Sequence, residues 1–578
     1  MLNKEDRVLK KDFVSFISHK LSGGKVIWSL KESGKAGSDN DFYQKYAYVA
    51  SESPCFSGVR LIESDRCEMY AEPYGGMGVG SNGGGGRCGN IGAQQVKGVG
   101  INPLVGDHDN SEHAYGGLDI RKATIETVYS LVLDDVLPKG VVKVWGLIFI
   151  GYDTAREGSK KVWGGLMIRD RCIRPGHFMR SPYFKPRGGV KALVKGDLQR
   201  IRLLYKRMSE ELEGDSSSFI KWLGGYLRDV ASQFAFARVM RITHGTMTAS
   251  NIAWDGKWLD LPACSFLSGG VNYSIWSQFY EEHNMALSYA MEILHNFSKY
   301  NRVPLNPVPL VSYFYEQFQE YGKYYVGYAL GLNLNYVLEL PEVNWKQVSE
   351  TFLQVIHSGK RVEPKRPSYD PQDPVISLTA AFFMAHSGSS AFATYAKKAG
   401  LDESETARFK ESSIEVLNTY VNLISSNGAE KESLFMRSFL TAMKRALLPE
   451  MWYLPNVEGQ VTRICSQGSP DEIGPYIDKH QEVAEWVFEE PGDEVTLLKE
   501  GRKSVFYVMS KGKFGCFDGR EARYFSCYDQ IYDHACHNIN AIEPVIYDFS
   551  KFLERLGVVL RDLGHSDSAE ITDEEAYV

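Results

Sequence analysis

The 578-residue chain has no CxxC pair, no apolar run long enough to span a membrane as a helix, and no excess of basic over acidic side chains. Its nine cysteines (Cys55, Cys67, Cys88, Cys172, Cys264, Cys465, Cys516, Cys527 and Cys536) are scattered and odd in number. Neither a disulfide framework nor a zinc ribbon is indicated. The apolar run 141–150 has the length and β-branching of a buried strand, so no membrane span is expected. The opening MLNKEDRVLKKDF is charged and has no apolar signal core, which points to a cytoplasmic protein. A formal net charge of −7 gives no electrostatic reason to expect nucleic acid or an anionic membrane as partner. Hydrophobic content of 43% and charged content of 24% fit a globular chain with core enough for two to four domains.

Residues 1–70 read as a polar helix over 4–20 and a short strand over 25–30, with no chemistry attached. Then comes AEPYGGMGVGSNGGGGRCGN (71–90), with glycine at 75, 76, 78, 80, 83, 84, 85, 86 and 89. Backbone without Cβ atoms can close its N–H groups on phosphate oxygens, although such density also suits a flexible linker. A short strand, 94–98, carries Lys97. The polar loop 107–115, with Asp107, His108, Asp109 and His113, suits a solvated loop better than a metal site. In 119–137, Ile125, Val128, Tyr129, Val132, Leu133 and Val136 recur at helical spacing, and Glu126 is placed to reach Lys97 from a packed helix. A surface glutamate is the commoner meaning of that residue alone. Strands are expected at 141–152 and 162–168. The second runs into RDRCIRPGHF, whose Arg169, Arg171 and Arg174 suit either polyphosphate or surface ion pairs.

From about 191 the chain turns helical. The stretch 195–207 suits a solvated helix face. Ser216–Ser218 offer caps, and Trp222, Leu223, Tyr226, Leu227, Val230 and Phe234 line one face of the helix that follows. Further helices are expected at 277–300, 311–322, 345–357, 402–425 and 431–447, with a proline-broken connector at 360–374. After 455 the pattern is mixed, with strands at 504–509 and 523–527 and a final helix at 550–563. His534, Cys536 and His537 have a poor zinc spacing. The acidic tail 566–578 is expected to be disordered.

The stretch HGTMTASNIAWDGKWLDLPACSF (244–266) is the most informative. Apolar residues 252–254 and 258–259 flank Asp255-Gly256-Lys257 as two short strands of a hairpin. That hairpin aims Asn251 and Asp260 at one point. An amide oxygen and a carboxylate are hard ligands, suited to Mg²⁺ or Mn²⁺ held against phosphates. Taken alone, Asn and Asp beside a turn are turn formers more often than ligands.

In order, the glycine-rich loop, strand lysine, helix glutamate, arginines, long helix and HG…N…D resemble a protein kinase without its HRD, DFG and APE motifs. YGGMGVG, GGGR, VKGVG, RKATIE, IRDRCIRPGHF and HGTMTASN…DLP are similar to the motifs of the SelO family, kinase-fold enzymes that transfer AMP to proteins. The similarity covers roughly 70–270. It implies an α+β, two-lobed kinase-like fold: an extension (1–70), an N-lobe (71–185), a helical C-lobe (186–450) and an accessory domain with acidic tail (451–578). The implied cofactors are ATP and Mg²⁺ or Mn²⁺. Lys97 would hold phosphates and pair with Glu126, and Asn251 and Asp260 would bind the metal. Gly76, Gly78, Gly80, Gly84 and Arg87 would belong to the nucleotide loop. Arg169 and Arg174 would contact the terminal phosphate of an ATP bound with its α-phosphate exposed.

Beside the metal-binding Asn the family carries an aspartate, and this chain has Ser250. Loss of a base for a hydroxyl acceptor costs about 10²–10⁴-fold in rate. A carboxylate acceptor needs no base, being ionised at pH 7. The whole chain, including GGGGRCGNIGAQQVKGVGINPLVG, also resembles the MchC-type maturation proteins of siderophore microcins. That resemblance implies three partners: a microcin precursor peptide, an acyltransferase-like maturation protein and a glycosylated catecholate siderophore. The expectation is an enzyme that adenylylates the peptide's C-terminal carboxylate for ester linkage. The alternatives are AMP or phosphoryl transfer to hydroxyl side chains, with Asp255 as base, and a non-catalytic pseudokinase scaffold.

Overall fold

The computed structural model describes residues 2–31, 38–107, 112–191, 194, 196–269, 272–273, 278–357, 362–363, 373–490, 492–538 and 547–564. The chain is a mixed α+β protein with a strand-rich N-terminal sheet and a helical region after it. It opens with helix α1 (Leu2–Lys10) and strand β1 (Val14–Leu21). The helix expected over 4–20 therefore stops at Lys10. β-Branched and aromatic side chains from Val14 onward pair antiparallel with 61–71, and this tertiary ladder overrides the local pattern.

The elements that follow are β2 (Lys25–Ser29), α2 (Asp39–Tyr46), β3 (Tyr48–Val49), β4 (Leu61–Ala71), β5 (Cys88–Ile91), β6 (Gln94–Lys97), α3 (Glu112–Tyr115), β7 (Leu118–Asp119), α4 (Ile120–Asp134), β8 (Val144–Glu157) and β9 (Lys160–Asp170). The strands form one antiparallel sheet in the order β2-β8-β9-β6-β5-β4-β1-β3, with β7 added to β9. Val96, Ile148, Leu166 and Ile168 point to one face, into a core with Tyr46, Phe56 and Met69. Val144, Leu147 and Met167 point to the other, against α4. Asp119 caps α4 by accepting from the Arg121 backbone N–H. The helix is buried nearly all round: helices Leu454–Gln467 and Ile473–Phe488 cover the side away from the sheet, and Tyr129 Oη donates to Trp452 O at 2.7 Å.

The helical region begins with α5 (Asp197–Glu211), α6 (Ser216–Val239), α7 (Glu282–Asn301) and α8 (Val308–Ala329). Asp215, rather than a serine, caps α6, and the six apolar residues read from its sequence are all buried. The helices expected further on fall at Glu342–His357, Glu403–Ile424 and Gly428–Leu447. Helix Pro374–Ser387 was not foreseen: residues 375–385 are buried on every side, so it has no polar face to create a period. Strands Lys503–Val508 and Ala522–Phe525 lie in a four-stranded antiparallel sheet with Glu494–Glu500 and Lys513–Phe517, and helix Phe549–Leu563 follows. Residues 108–111, most of the connector 360–374, the Cys536 and His537 side chains and the tail 566–578 lie outside the described residues. Among the described residues no helix is long and apolar enough to cross a membrane.

Candidate active site

The hairpin 251–260 is short and held from behind. Ile252 bridges Trp258 antiparallel, Ala253 N–H donates to Lys257 O at 2.8 Å, and Leu259 N–H donates to Asn251 O at 3.2 Å. Trp254 stacks on Trp222 of α6 with centroids 3.8 Å apart and on Tyr226 at 4.6 Å. Trp258 is fully buried beside Phe234 and His244. The apolar face of α6 thus fixes the hairpin, and the cross-strand bond places Asn251 beside the residue preceding Asp260.

The start of the stretch is tied down as well. Buried Glu282 of α7 accepts from His244 N–H (3.0 Å), Gly245 N–H (2.7 Å) and Thr243 Oγ1 (2.9 Å). His244 Nε2 donates to Leu259 O, and burial depresses its pKa to about 4, so it is neutral at pH 7.

Alternation along β6 puts Gln95 and Lys97 on one face, and antiparallel register sets Gln95 opposite Arg169 of β9. Lys97 Nζ donates to Glu126 Oε2 of α4 at 2.9 Å and also to Asp260 Oδ1. Arg169 Nη1 donates to Glu126 Oε1 (2.9 Å) and Asp260 Oδ1 (3.1 Å). The Asp260 backbone N–H donates to Glu126 Oε1 at 3.2 Å, with Asp260 in the left-handed region at φ +59°. Few non-glycine residues adopt that conformation, and they concentrate at functional sites. Burial alone would raise the Asp260 carboxyl, but Arg169, Lys97 and Arg174 hold it well below the usual carboxylate range.

Arg174 is buried under Tyr74, its guanidinium 5.2 Å from the ring centre. Nη1 donates to Ser250 O at 3.0 Å and lies 4.0 Å from Asp260 Oδ2, while no hydrogen bond reaches Nε among the described residues. Behind it, His177 Nδ1 accepts from the Arg174 backbone N–H, and Nε2 faces Glu72 at 3.6 Å. Arg171 turns away from the cluster, to Glu72 and Asp6.

The structure therefore brings together Lys97, Glu126, Asp260, Arg169 and Arg174, with Asn251 alongside. Asn251 Nδ2 donates to Thr246 O at 2.7 Å and Oδ1 accepts from Ser250 Oγ at 3.1 Å. The glycine loop lies over the same segment: a Cβ on Gly76 would come within 2.9 Å of the Ala249 Cβ, and one on Gly78 within 3.0 Å of Thr248. Gly84 bridges Pro73 at the base of the loop, and Gly80 is exposed with open space around it. Arg87 stands apart, donating to Gly117 O at 3.1 Å. Asp255, at the turn of the hairpin, pairs with Lys257 at the end opposite Asp260. Ser250 Oγ lies 2.9 Å from Thr248 Oγ1.

Sequence reasoning missed Gln95, Glu72 and His177. The available signal was position: Gln95 is two residues before Lys97 on the same strand face. Asp260 Oδ1 is occupied by Lys97 and Arg169, and no hydrogen bond reaches Oδ2 among the described residues. That oxygen and the Asn251 amide oxygen are donors of the type Mg²⁺ accepts, which takes one or two protein oxygens and completes its shell with phosphates and water. Among the described residues there is no group of three or more His, Cys, Asp or Glu able to hold a metal without such help. Comparison with models of known protein families and with curated proteins gave no match.

Proposed function

We propose that this chain is an ATP-dependent enzyme of two-lobed, kinase-like architecture that adenylylates a carboxylate. The observation that carries the proposal is Lys97 held between Glu126 and Asp260, with a glycine loop against Thr248 and Ala249 and a serine beside Asn251. Lysine, helix glutamate and metal-binding aspartate are the parts that hold nucleotide phosphates in kinases. Lys97, Arg169 and Arg174 would receive the polyphosphate, and Asn251 and Asp260 would hold Mg²⁺ or Mn²⁺. When bound, that ion neutralises charge on the phosphates and orients them.

The carboxylate oxygen attacks the α-phosphorus, a new P–O bond forms, and the bond from the α-phosphorus to the bridging oxygen breaks. Pyrophosphate leaves with that electron pair, and the product is an acyl-adenylate. No proton has to be removed. This matches a site in which Glu126 and Asp260 are already bonded to cations and Ser250 supplies only a hydroxyl. Hydroxyl transfer is less well supported, because Asp255 faces away from Asp260. A scaffold would not need three buried cations converging on one carboxylate.

The acceptor we propose is the C-terminal carboxylate of a microcin precursor peptide. Activation there would permit ester linkage to a glycosylated siderophore with an acyltransferase-like partner. ATP labelled at the α- or γ-phosphate, with Mg²⁺, peptide and partner, tests the proposal. Peptide-dependent release of labelled AMP and of pyrophosphate is expected, lost in Asp260→Ala and unchanged in Asp255→Ala. ADP formation, or label on a hydroxyl, would overturn it.

A further inference from the structure

Gln95 is fully buried and holds both guanidiniums of the site. Its Oε1 accepts from Arg169 Nε (3.2 Å), Arg169 Nη2 (2.9 Å) and Arg174 Nη2 (3.0 Å). Its Nε2 donates to Glu72 Oε2 at 3.3 Å. Guanidiniums only donate, so the amide oxygen must face them and the amide nitrogen must face Glu72. A carboxylate is the usual partner of two buried arginines, since burial penalises charge left uncompensated. Here the oxygen that accepts hydrogen bonds from both is uncharged, and Asp260 reaches Arg169 closely but Arg174 only at 4.0 Å. The other acceptor for Arg174 is a backbone carbonyl, and no hydrogen bond reaches its Nε among the described residues.

We infer that Gln95 is a positioning residue for a polyphosphate. It aims Arg169 and Arg174 with a neutral oxygen: Arg169 is paired with Glu126 and Asp260 through Nη1, and the charge of Arg174, which has no carboxylate closer than 4.0 Å among its ion pairs, is left for an incoming anion. Glu72 supplies the negative charge one step further back, where it orients the Gln95 amide and pairs with Arg171. The inference rests on the nucleotide reading above and deepens it, since the triphosphate is the ligand the two arginines would meet.

The test exchanges the two side chains. In Glu72→Gln/Gln95→Glu the hydrogen bond between the positions can run in reverse and total charge is unchanged, but the carboxylate now sits on both arginines. Calorimetric titration with inorganic tripolyphosphate and with ATP·Mg²⁺ is compared with thermal melting. We expect the exchange variant to melt close to wild type and to bind tripolyphosphate about 10–100-fold more weakly, as for the loss of a supporting partner at a charged site. Gln95→Glu alone should show the same loss of affinity. Binding within twofold of wild type by the exchange variant would overturn the inference. So would failure of both variants to fold, which would make the neutral amide a requirement of folding. Wild type that binds tripolyphosphate but not ATP·Mg²⁺ sinks the nucleotide reading and leaves the clamp to be judged on tripolyphosphate. Wild type that binds neither overturns both.

Discussion

Removing Glu126 should be costly, and the reason is countable. Its carboxylate is 2% exposed and accepts from Lys97 Nζ, Arg169 Nη1 and the Asp260 backbone N–H. In Glu126→Ala, Lys97 and Arg169 keep only Asp260 as a shared carboxylate, and the Asp260 N–H loses its acceptor. Breaking a buried ion pair from one side costs about 3–5 kcal/mol, because a buried charge is left behind. Lys97→Met should cost less, since Glu126 keeps Arg169 and the Asp260 N–H. The double variant should cost less than the two single changes added, because the second removal also removes the orphaned partner. Urea unfolding followed by tryptophan fluorescence gives these values, provided the denaturant slope is shared. A loss below about 0.5 kcal/mol for Glu126→Ala, typical of a surface change, would refute the reasoning. Strict additivity would refute it too.

Three further outcomes are expected. Burial alone would raise the Glu72 carboxyl, but His177, Arg174 and Arg171 bring it from 4.5 to about 2. A depressed carboxylate contributes its stability above its unfolded pKa and loses it as pH falls toward the folded one. About 3 kcal/mol should therefore disappear between pH 4.5 and 2, and Glu72→Gln should flatten that part of a urea-midpoint profile. Trp254→Ala removes the ring stacked between the hairpin and α6 and should cost about 3–5 kcal/mol in the same assay, with ATP binding lost alongside. Ser250→Asp places a carboxylate next to Asn251 and should produce AMP label on protein hydroxyls, detected with α-labelled ATP; no label above wild type would count against a missing base.

The parts of the site legible in the sequence were those with a local signature. The helical period around Glu126, the single lysine on a short strand and the turn at 255–257 each announce an element. Gln95, Glu72 and His177 have no such signature, because each acquires its meaning from partners in other elements: Arg169 lies 74 positions from Gln95. The fold shows the same division. Helix α6, with six apolar residues on one face, could be read, and so could α4, whose apolar residues recur at helical spacing between polar ones that the structure also buries. Pro374–Ser387, buried all round, could not, and the strand at 14–21 declares itself only once 61–71 lies beside it. The burial of α4 beneath helices past 450 depends on contacts that span more than 300 positions, as between Tyr129 and Trp452.

The most direct test of carboxylate adenylylation compares two forms of one acceptor peptide, with a free C-terminal carboxylate and with a C-terminal amide, in a pyrophosphate-release assay with ATP and Mg²⁺. Release with the acid and none with the amide is predicted, with both signals absent in Lys97→Met. Equal release from the two forms would contradict the account.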